Sequence, residues 1–216
     1  MIRPAEAYSA WQTRAVEWIT AALAAFAVIV PVELPDKTFV ATLVLATRYR
    51  PLPVWIGVVA AFGIQCLVAV AAGRLLTLLP DQPVEIAAAA LFAIGAFILY
   101  RGARKADAEE AESETRFAEK ARSNRTGWRA AGFSFIVLFT AEWGDLSQLL
   151  TAGLVASGRP PVPVFFGSWA ALAVVSGAAV LLGRVLLKRI RLSLIRYIAA
   201  GVCAIIAVIT LVAAFV

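Results

Sequence analysis

The sequence predicts an all-α polytopic membrane protein, with six transmembrane helices arranged as two inverted three-helix repeats. Three observations carry that expectation: the composition suits lipid, apolar runs of bilayer length recur, and one acidic phrase occurs twice at a constant offset. Of 216 residues, 62% are hydrophobic and 16% charged. The mean hydropathy is +0.84, far from the balance of a water-soluble domain. A hydrocarbon core takes about 20 helical residues to cross. Apolar runs of that order fall at 18–47, 53–79, 84–100, 130–157, 161–187 and 192–215. Ten-residue segments of alternating polarity, the mark of a membrane β-barrel, do not occur.

In chain order, an N-terminal tail (1–17) precedes the first three-helix repeat (18–100), a charged linker (101–129) and the second repeat (130–216). The tail holds Glu6 and Glu17 and does not read as a cleaved signal peptide. The linker carries eight Lys or Arg and six Asp or Glu among helix-forming residues. It reads as a solvated connector helix and is assigned no chemistry.

Charge gives the expected orientation. The loops after helices 1, 3 and 5 hold 15 Lys or Arg residues, whereas the tail and the loops after helices 2 and 4 hold four. Positive charge in short loops faces the cytoplasm. Both termini are therefore expected outside and the linker inside, in a bacterial inner (cell) membrane. With that distribution, the pI near 9.8 does not call for nucleic acid. The chain has no histidine, so histidine-based catalysis and metal ligation are excluded. Cys66 and Cys203 lie singly in apolar runs and read as packing residues.

The repeat is visible in "VELPDKTFVATLV" (Val32–Val44) and "AEWGDLSQLLTAGLV" (Ala141–Val155). Glu33, Asp36, Thr38 and Thr42 match Glu142, Asp145, Ser147 and Thr151 at one offset. "RPLPVWIG" (Arg50–Gly57) then parallels "RPPVPVFFG" (Arg159–Gly167), and Gly73-Arg74 parallels Gly183-Arg184. A duplicated unit of three helices enters the membrane the opposite way round. This is a recurrent transporter plan with its site at the repeat interface.

Of 14 Asp and Glu residues, only Glu33, Asp36, Glu142 and Asp145 lie well inside apolar runs. Each costs about 2.5–3.5 kcal/mol at the bilayer centre on insertion scales, so four oppose insertion by roughly 10 kcal/mol. Packing alone does not justify that when Leu would serve. Buried ion pairs do not either, because Lys37 is the one basic residue expected at that depth. Pro31 and Pro35 bracket Glu33, with Gly144 at the equivalent of Pro35, so the helices should be interrupted beside the acids. Carboxylates with the hydroxyls of Thr38 and Ser147 make an all-oxygen, anionic donor set. Such a set suits Mn²⁺, Ca²⁺ or Mg²⁺ over softer ions. If the same carboxylates take up protons when the ion leaves, that competition is the minimal mechanism of an antiporter.

At these residues the chain resembles a known family. The doubled motif Glu-x-Gly-Asp-Lys/Arg-Thr/Ser, one copy per three-helix unit, is similar to that of the Golgi manganese/calcium–proton exchangers, the transmembrane protein 165-like cation antiporters. The resemblance runs from about residue 20 to the end and suggests a bacterial-type member. It implies six helices, a cytosolic central loop and exchange of Mn²⁺ (or Ca²⁺) for protons, with the cation leaving the cytoplasm. It also implies that Glu33, Asp36, Glu142 and Asp145 bind the ion, with Thr38 and Ser147 beside them. Pro35 departs from the motif's glycine and Leu146 from its basic residue.

The expected partners are thus a divalent cation, protons and the bilayer, with no cofactor and no nucleic acid. A passive divalent-cation channel is the alternative. An intramembrane enzyme ranks below both, because no Gly-x-Gly-Asp protease motif and no nucleotide-binding segment occur. Gln65 is expected to be an interhelical hydrogen bonder. Small residues four apart, such as Ala69/Gly73 and Gly167/Ala171, should allow close helix contact. The tryptophans read as interfacial anchors, except Trp143, which lies between the acids and is expected to wall the site.

Overall fold

A backbone in lipid has no hydrogen-bond partner but itself, so runs of Ala, Leu, Val and Ile close into helices. The computed structural model describes residues 4–34, 37–121, 125–189 and 192–215, and these contain helices and no strand. The helices are α1 (Pro4–Glu33), α2 (Lys37–Arg48), α3 (Pro51–Leu76), α4 (Asp81–Gly102), α5 (Ala106–Lys120), α6 (Trp128–Ala141), α7 (Leu146–Ala156), α8 (Pro161–Arg189) and α9 (Leu192–Ala213). A 3₁₀ turn, Ala103–Lys105, joins α4 to α5. Pro51 and Pro161 open α3 and α8, a position where the missing N–H has no helical partner to lose.

Five stretches are long and apolar enough to cross a membrane: Gln12–Glu33, Pro51–Leu76, Gln82–Lys105, Pro161–Leu181 and Ser193–Ala213. The expected fourth span, 130–157, is divided into the shorter apolar helices α6 and α7. The expected first span, 18–47, is divided between α1 and α2, and its tail is helical from Pro4. Both interruptions fall at the acidic phrases.

Helix α1 lies against α8, α3 against α6, α7 and α8, and α4 against α9. Glycines permit the closest approaches. A Cβ on Gly57 of α3 would collide with the Ala131 carbonyl of α6, and one on Gly167 of α8 with the Ala22 carbonyl of α1. Gly73 sits in the same way against Ala152 of α7. Helices α3 and α8 also exchange indole hydrogen bonds. Trp55 Nε1 donates to the Ala173 carbonyl at 3.0 Å, and Trp169 Nε1 to that of Val59 at 2.9 Å. These two tryptophans are therefore interhelical links rather than interfacial anchors, because a carbonyl of the facing helix satisfies each ring N–H.

Phe39, Phe62, Phe92, Leu138, Leu150 and Leu154 fill the interior. The perimeter is apolar too: Leu67 on α3, Leu181 on α8 and Ile205 on α9 are each at least 60% exposed. A belt of that kind belongs in lipid rather than water, and the chain is a membrane protein. The linker helix α5 differs from the solvated connector expected of it. Phe117 and the adjoining Ala121 are buried, and the Tyr49 hydroxyl after α2 donates to the Ala121 carbonyl at 3.3 Å. One face of α5 is thereby docked against α2.

Candidate functional site

A helix that stops inside an apolar region leaves its last carbonyls and the next helix's first N–H groups without intrahelical partners. The break between α6 and α7 shows how local chemistry meets that demand. Glu142 caps the end of α6, and Gly144 turns the chain at φ +77°, where a side chain would be strained. Asp145 then caps α7: its Oδ1 accepts from the Gln148 N–H at 3.0 Å and its Oδ2 from Ser147 Oγ at 2.9 Å. The Gln148 amide closes the turn from the other side. Its Nε2 donates to the Glu142 carbonyl, and its Oε1 accepts the Gly144 N–H at 3.3 Å.

Gln148 was not among the residues expected from sequence. Its one signal is its place three residues after an acidic N-cap, at the start of a helix that opens within an apolar run.

Further support comes from two sides. Gln65 on α3 donates from Nε2 to the Phe139 carbonyl at 3.3 Å, holding the last turn of α6, as expected of an interhelical hydrogen bonder. On α7, Thr151 Oγ1 donates to the Ser147 carbonyl at 2.8 Å, with Ser168 Oγ of α8 at 3.1 Å. Ser147 and Thr151 are both buried.

At the first break, Glu33 ends α1 at 1% exposure, and Thr38 in the first turn of α2 is equally buried. The hydroxyls of Thr38, of Thr42 one turn on, and of Ser134 on α6 have no hydrogen-bond partner among the described residues. Buried hydroxyls in that condition are rare and call for a ligand, water or ion to complete them. Asp36, with Pro35, lies outside the described residues.

Glu142 stands where two cavities meet. One, of about 560 Å³, is lined by Lys37, Glu142, Trp143, Asp145, Leu146 and Arg196 among others. Trp143 lines this cavity, with its ring centroid 4.9 Å from that of Phe139. The other cavity, of about 450 Å³, runs from Lys37 and Glu142 to the docked helix α5. Both lie toward the end of the bundle where α4 finishes and α5 starts. At the opposite end, a cavity of about 430 Å³ reaches Glu17, Thr20, Glu85 and Arg159, and none of the expected site residues lines it. Partial burial there lowers the Arg159 pKa from its ordinary value, while its Nη1 donates to Ser157 Oγ at 2.8 Å.

Cys66 is a free and buried thiol on α3. Lys37 is exposed and lines both cavities on the α5 side. The expectation that it is the one basic residue at this depth needs correction. Arg196, counted from sequence with the loop charges, is buried in α9 and reaches the cavity of Glu142 and Asp145. Its Nη1 donates to the Gly102 carbonyl at the end of α4, at 2.8 Å. A long aliphatic stem lets a cation near a helix end reach inward in this way.

The structure thus brings Glu142, Asp145 and Ser147 together at one break and buries Glu33 and Thr38 at the other. Among the described residues, no group of three or more His, Cys, Asp or Glu side chains is gathered closely enough to hold a metal ion.

A family model described as the divalent cation/proton antiporter GDT1 matches residues 21–107 and 130–216. The chain is 35% identical over 149 residues to a GDT1-like protein (sll0615) of Synechocystis, covering 65% of this chain and 72% of that one. It is 31% identical over 208 residues to the chloroplastic GDT1-like protein 1 of Oryza sativa subsp. indica, covering 87% of this chain and 60% of that one. To the chloroplastic protein PAM71 of Arabidopsis thaliana it is 34% identical over 155 residues, covering 63% and 42%. The chain therefore spans less than two thirds of the length of these plant relatives. No solved structure matches the chain.

Proposed function

The chain belongs to the divalent cation/proton antiporter GDT1 family, whose members are transporters rather than enzymes, and on that premise we propose that it exports Mn²⁺ from the cytoplasm in exchange for protons. Ca²⁺ is the alternative cargo. The observation that carries this reading is the second break, where Glu142 and Asp145 interrupt a membrane helix and face a cavity. Carboxylate and hydroxyl oxygens suit a hard divalent ion. The ion ligands are Glu33, Asp36, Glu142 and Asp145, with Thr38 and Ser147 beside them. A carboxylate that releases the ion takes a proton in its place, so one set of groups couples the two fluxes.

The proposed architecture is six spans in two inverted repeats, residues 18–100 and 130–216, joined by the linker 101–129. Two contacts support it. Gly57 of the first unit meets Ala131 of the second, and Gly167 of the second meets Ala22 of the first. Ala22 and Ala131 are 109 residues apart, as are Glu33 and Glu142, and Gly57 and Gly167 are 110 apart after one insertion. A pseudo-two-fold axis in the membrane plane produces such reciprocal pairs. The 15-to-4 loop charge bias puts both termini outside and α5 in the cytoplasm of a bacterial cell.

The test is Mn²⁺ flux in proteoliposomes under an imposed pH gradient, with Ca²⁺ in parallel. Wild-type protein should couple the two fluxes, and Glu33→Gln and Glu142→Gln should each abolish both. Flux without proton movement would make the protein a channel. Wild-type exchange by either variant would remove these acids from the mechanism.

A further inference from the structure

The charged linker is more than a tether, because α5 forms part of the enclosure that contains Glu142. Its docked face is fixed by Phe117, Ala121 and the Tyr49 hydroxyl. Glu112, Ser113, Arg116 and Lys120 line the cavity of about 450 Å³ whose other wall holds Lys37, Thr140 and Glu142. Glu112, Arg116 and Lys120 are exposed, whereas Glu142 is buried. An ion passing through this cavity to Glu142 therefore moves along one carboxylate, Glu112, and three cations, Lys37, Arg116 and Lys120, before it meets the buried acid.

We propose that α5 is the wall of a cytoplasmic entry vestibule, in which Glu112 favours and Arg116 retards the approach of the divalent cation. The inference rests on the reading of Glu142 as an ion ligand. It differs from that reading in assigning a role to residues outside both acidic phrases. A cleft with low-dielectric walls concentrates the field of the charges that line it. A unit change within about 10 Å of a divalent ion's path shifts its local concentration by roughly threefold to tenfold. Arg116 and Glu112 are one helical turn apart, so each tempers the other and removal of either exposes its partner's field.

The experiment measures Mn²⁺ uptake against Mn²⁺ concentration in inverted membrane vesicles that present α5 to the medium. Glu112→Gln should raise the half-saturating concentration about threefold or more, and Arg116→Gln should lower it by a similar factor. Glu114→Gln should shift it less than Glu112→Gln, since Glu114 is exposed on α5 outside the residues that line the cavity. Molar monovalent salt should collapse both shifts, because the Debye length falls to about 3 Å. Equal values for all three variants, or shifts in one common direction, would overturn the proposal. Melting temperatures of the purified variants, expected to match wild type, separate a charge effect from a folding defect. Glu142→Gln is assayed alongside. If it is inactive while the α5 variants behave as wild type, the vestibule fails and the ion site stands. If it transports normally, the ion site fails, and the vestibule is judged on the α5 shifts alone.

Discussion

Gln148 offers the sharpest test of how the second break is held. Its side chain makes two hydrogen bonds at the turn, from Nε2 to the Glu142 carbonyl and from the Gly144 N–H to Oε1 at 3.3 Å. Gln148→Leu removes both, while the backbone N–H of residue 148 keeps its bond to Asp145 Oδ1. Leaving a buried donor or acceptor unsatisfied costs about 1–3 kcal/mol. The Gly144 N–H is exposed and can turn to water, so the cost falls on the part-buried Glu142 carbonyl, about 1–2 kcal/mol. For a chain of this size that predicts a fall of roughly 2–8 °C in the melting temperature in detergent. The carbonyl that Gln148 grips belongs to Glu142 itself, so with Glu142 as the proposed ion ligand part of the loss should fall on ion binding. Each 1.4 kcal/mol reaching the site weakens apparent Mn²⁺ affinity about tenfold.

The assay pairs a thermal melt with the concentration dependence of Mn²⁺ flux. Gln148→Asn carries the same amide on a stem one methylene shorter and cannot span both partners, so it should resemble Leu. If Gln148→Leu melts and transports like wild type, the amide does not hold the turn and the reasoning fails.

Two further predictions concern backbone rather than side-chain chemistry. Gly57→Val and Gly167→Val each drive a side chain into the carbonyl of a facing helix. Each should lower stability by about 1–3 kcal/mol or more, read as a lower melting temperature, while Gly132→Val, with open space around it, should change little. Gly144→Ala meets no neighbouring atom but must hold φ +77°. It should cost about 1 kcal/mol, and a variant as stable as wild type would show that the turn relaxes to another conformation.

Much of the fold was legible because lipid makes the rules strict. Apolar length marked the helices, and the acids with Pro35 and Gly144 marked both interruptions. What stayed hidden depends on partners that are distant in sequence. Trp55 and Trp169 have the composition and position of interfacial anchors, and only the approach of α3 to α8 turns their ring N–H groups inward. Arg196 follows a basic loop, so its charge was counted with that loop. Its burial depends on the end of α4, a carbonyl that lies 94 residues earlier. Docking of α5 rests on Phe117 and Ala121, two small signals among many charges. At the candidate site the acids were legible from their cost in lipid, whereas Gln148 was not, because a polar residue inside a helix start has no cost to betray it.

The two breaks match in sequence without matching in chemistry. At the constant offset, Pro35 stands opposite Gly144, Lys37 opposite Leu146 and Phe39 opposite Gln148. Gly144 turns the second break at φ +77°, a conformation proline's ring, which holds φ near −65°, does not allow. Phe39 is buried at 1% exposure and has no polar group with which to grip a carbonyl as Gln148 does. The second turn is therefore braced by its own residues, while around the first the hydroxyls of Thr38 and Thr42 have no partner among the described residues. The cavities on the α5 side are lined from both phrases, by Val32 and Lys37 of the first and by Glu142 and Asp145 of the second, whereas those at the opposite end are lined by none of Glu33, Glu142 and Asp145.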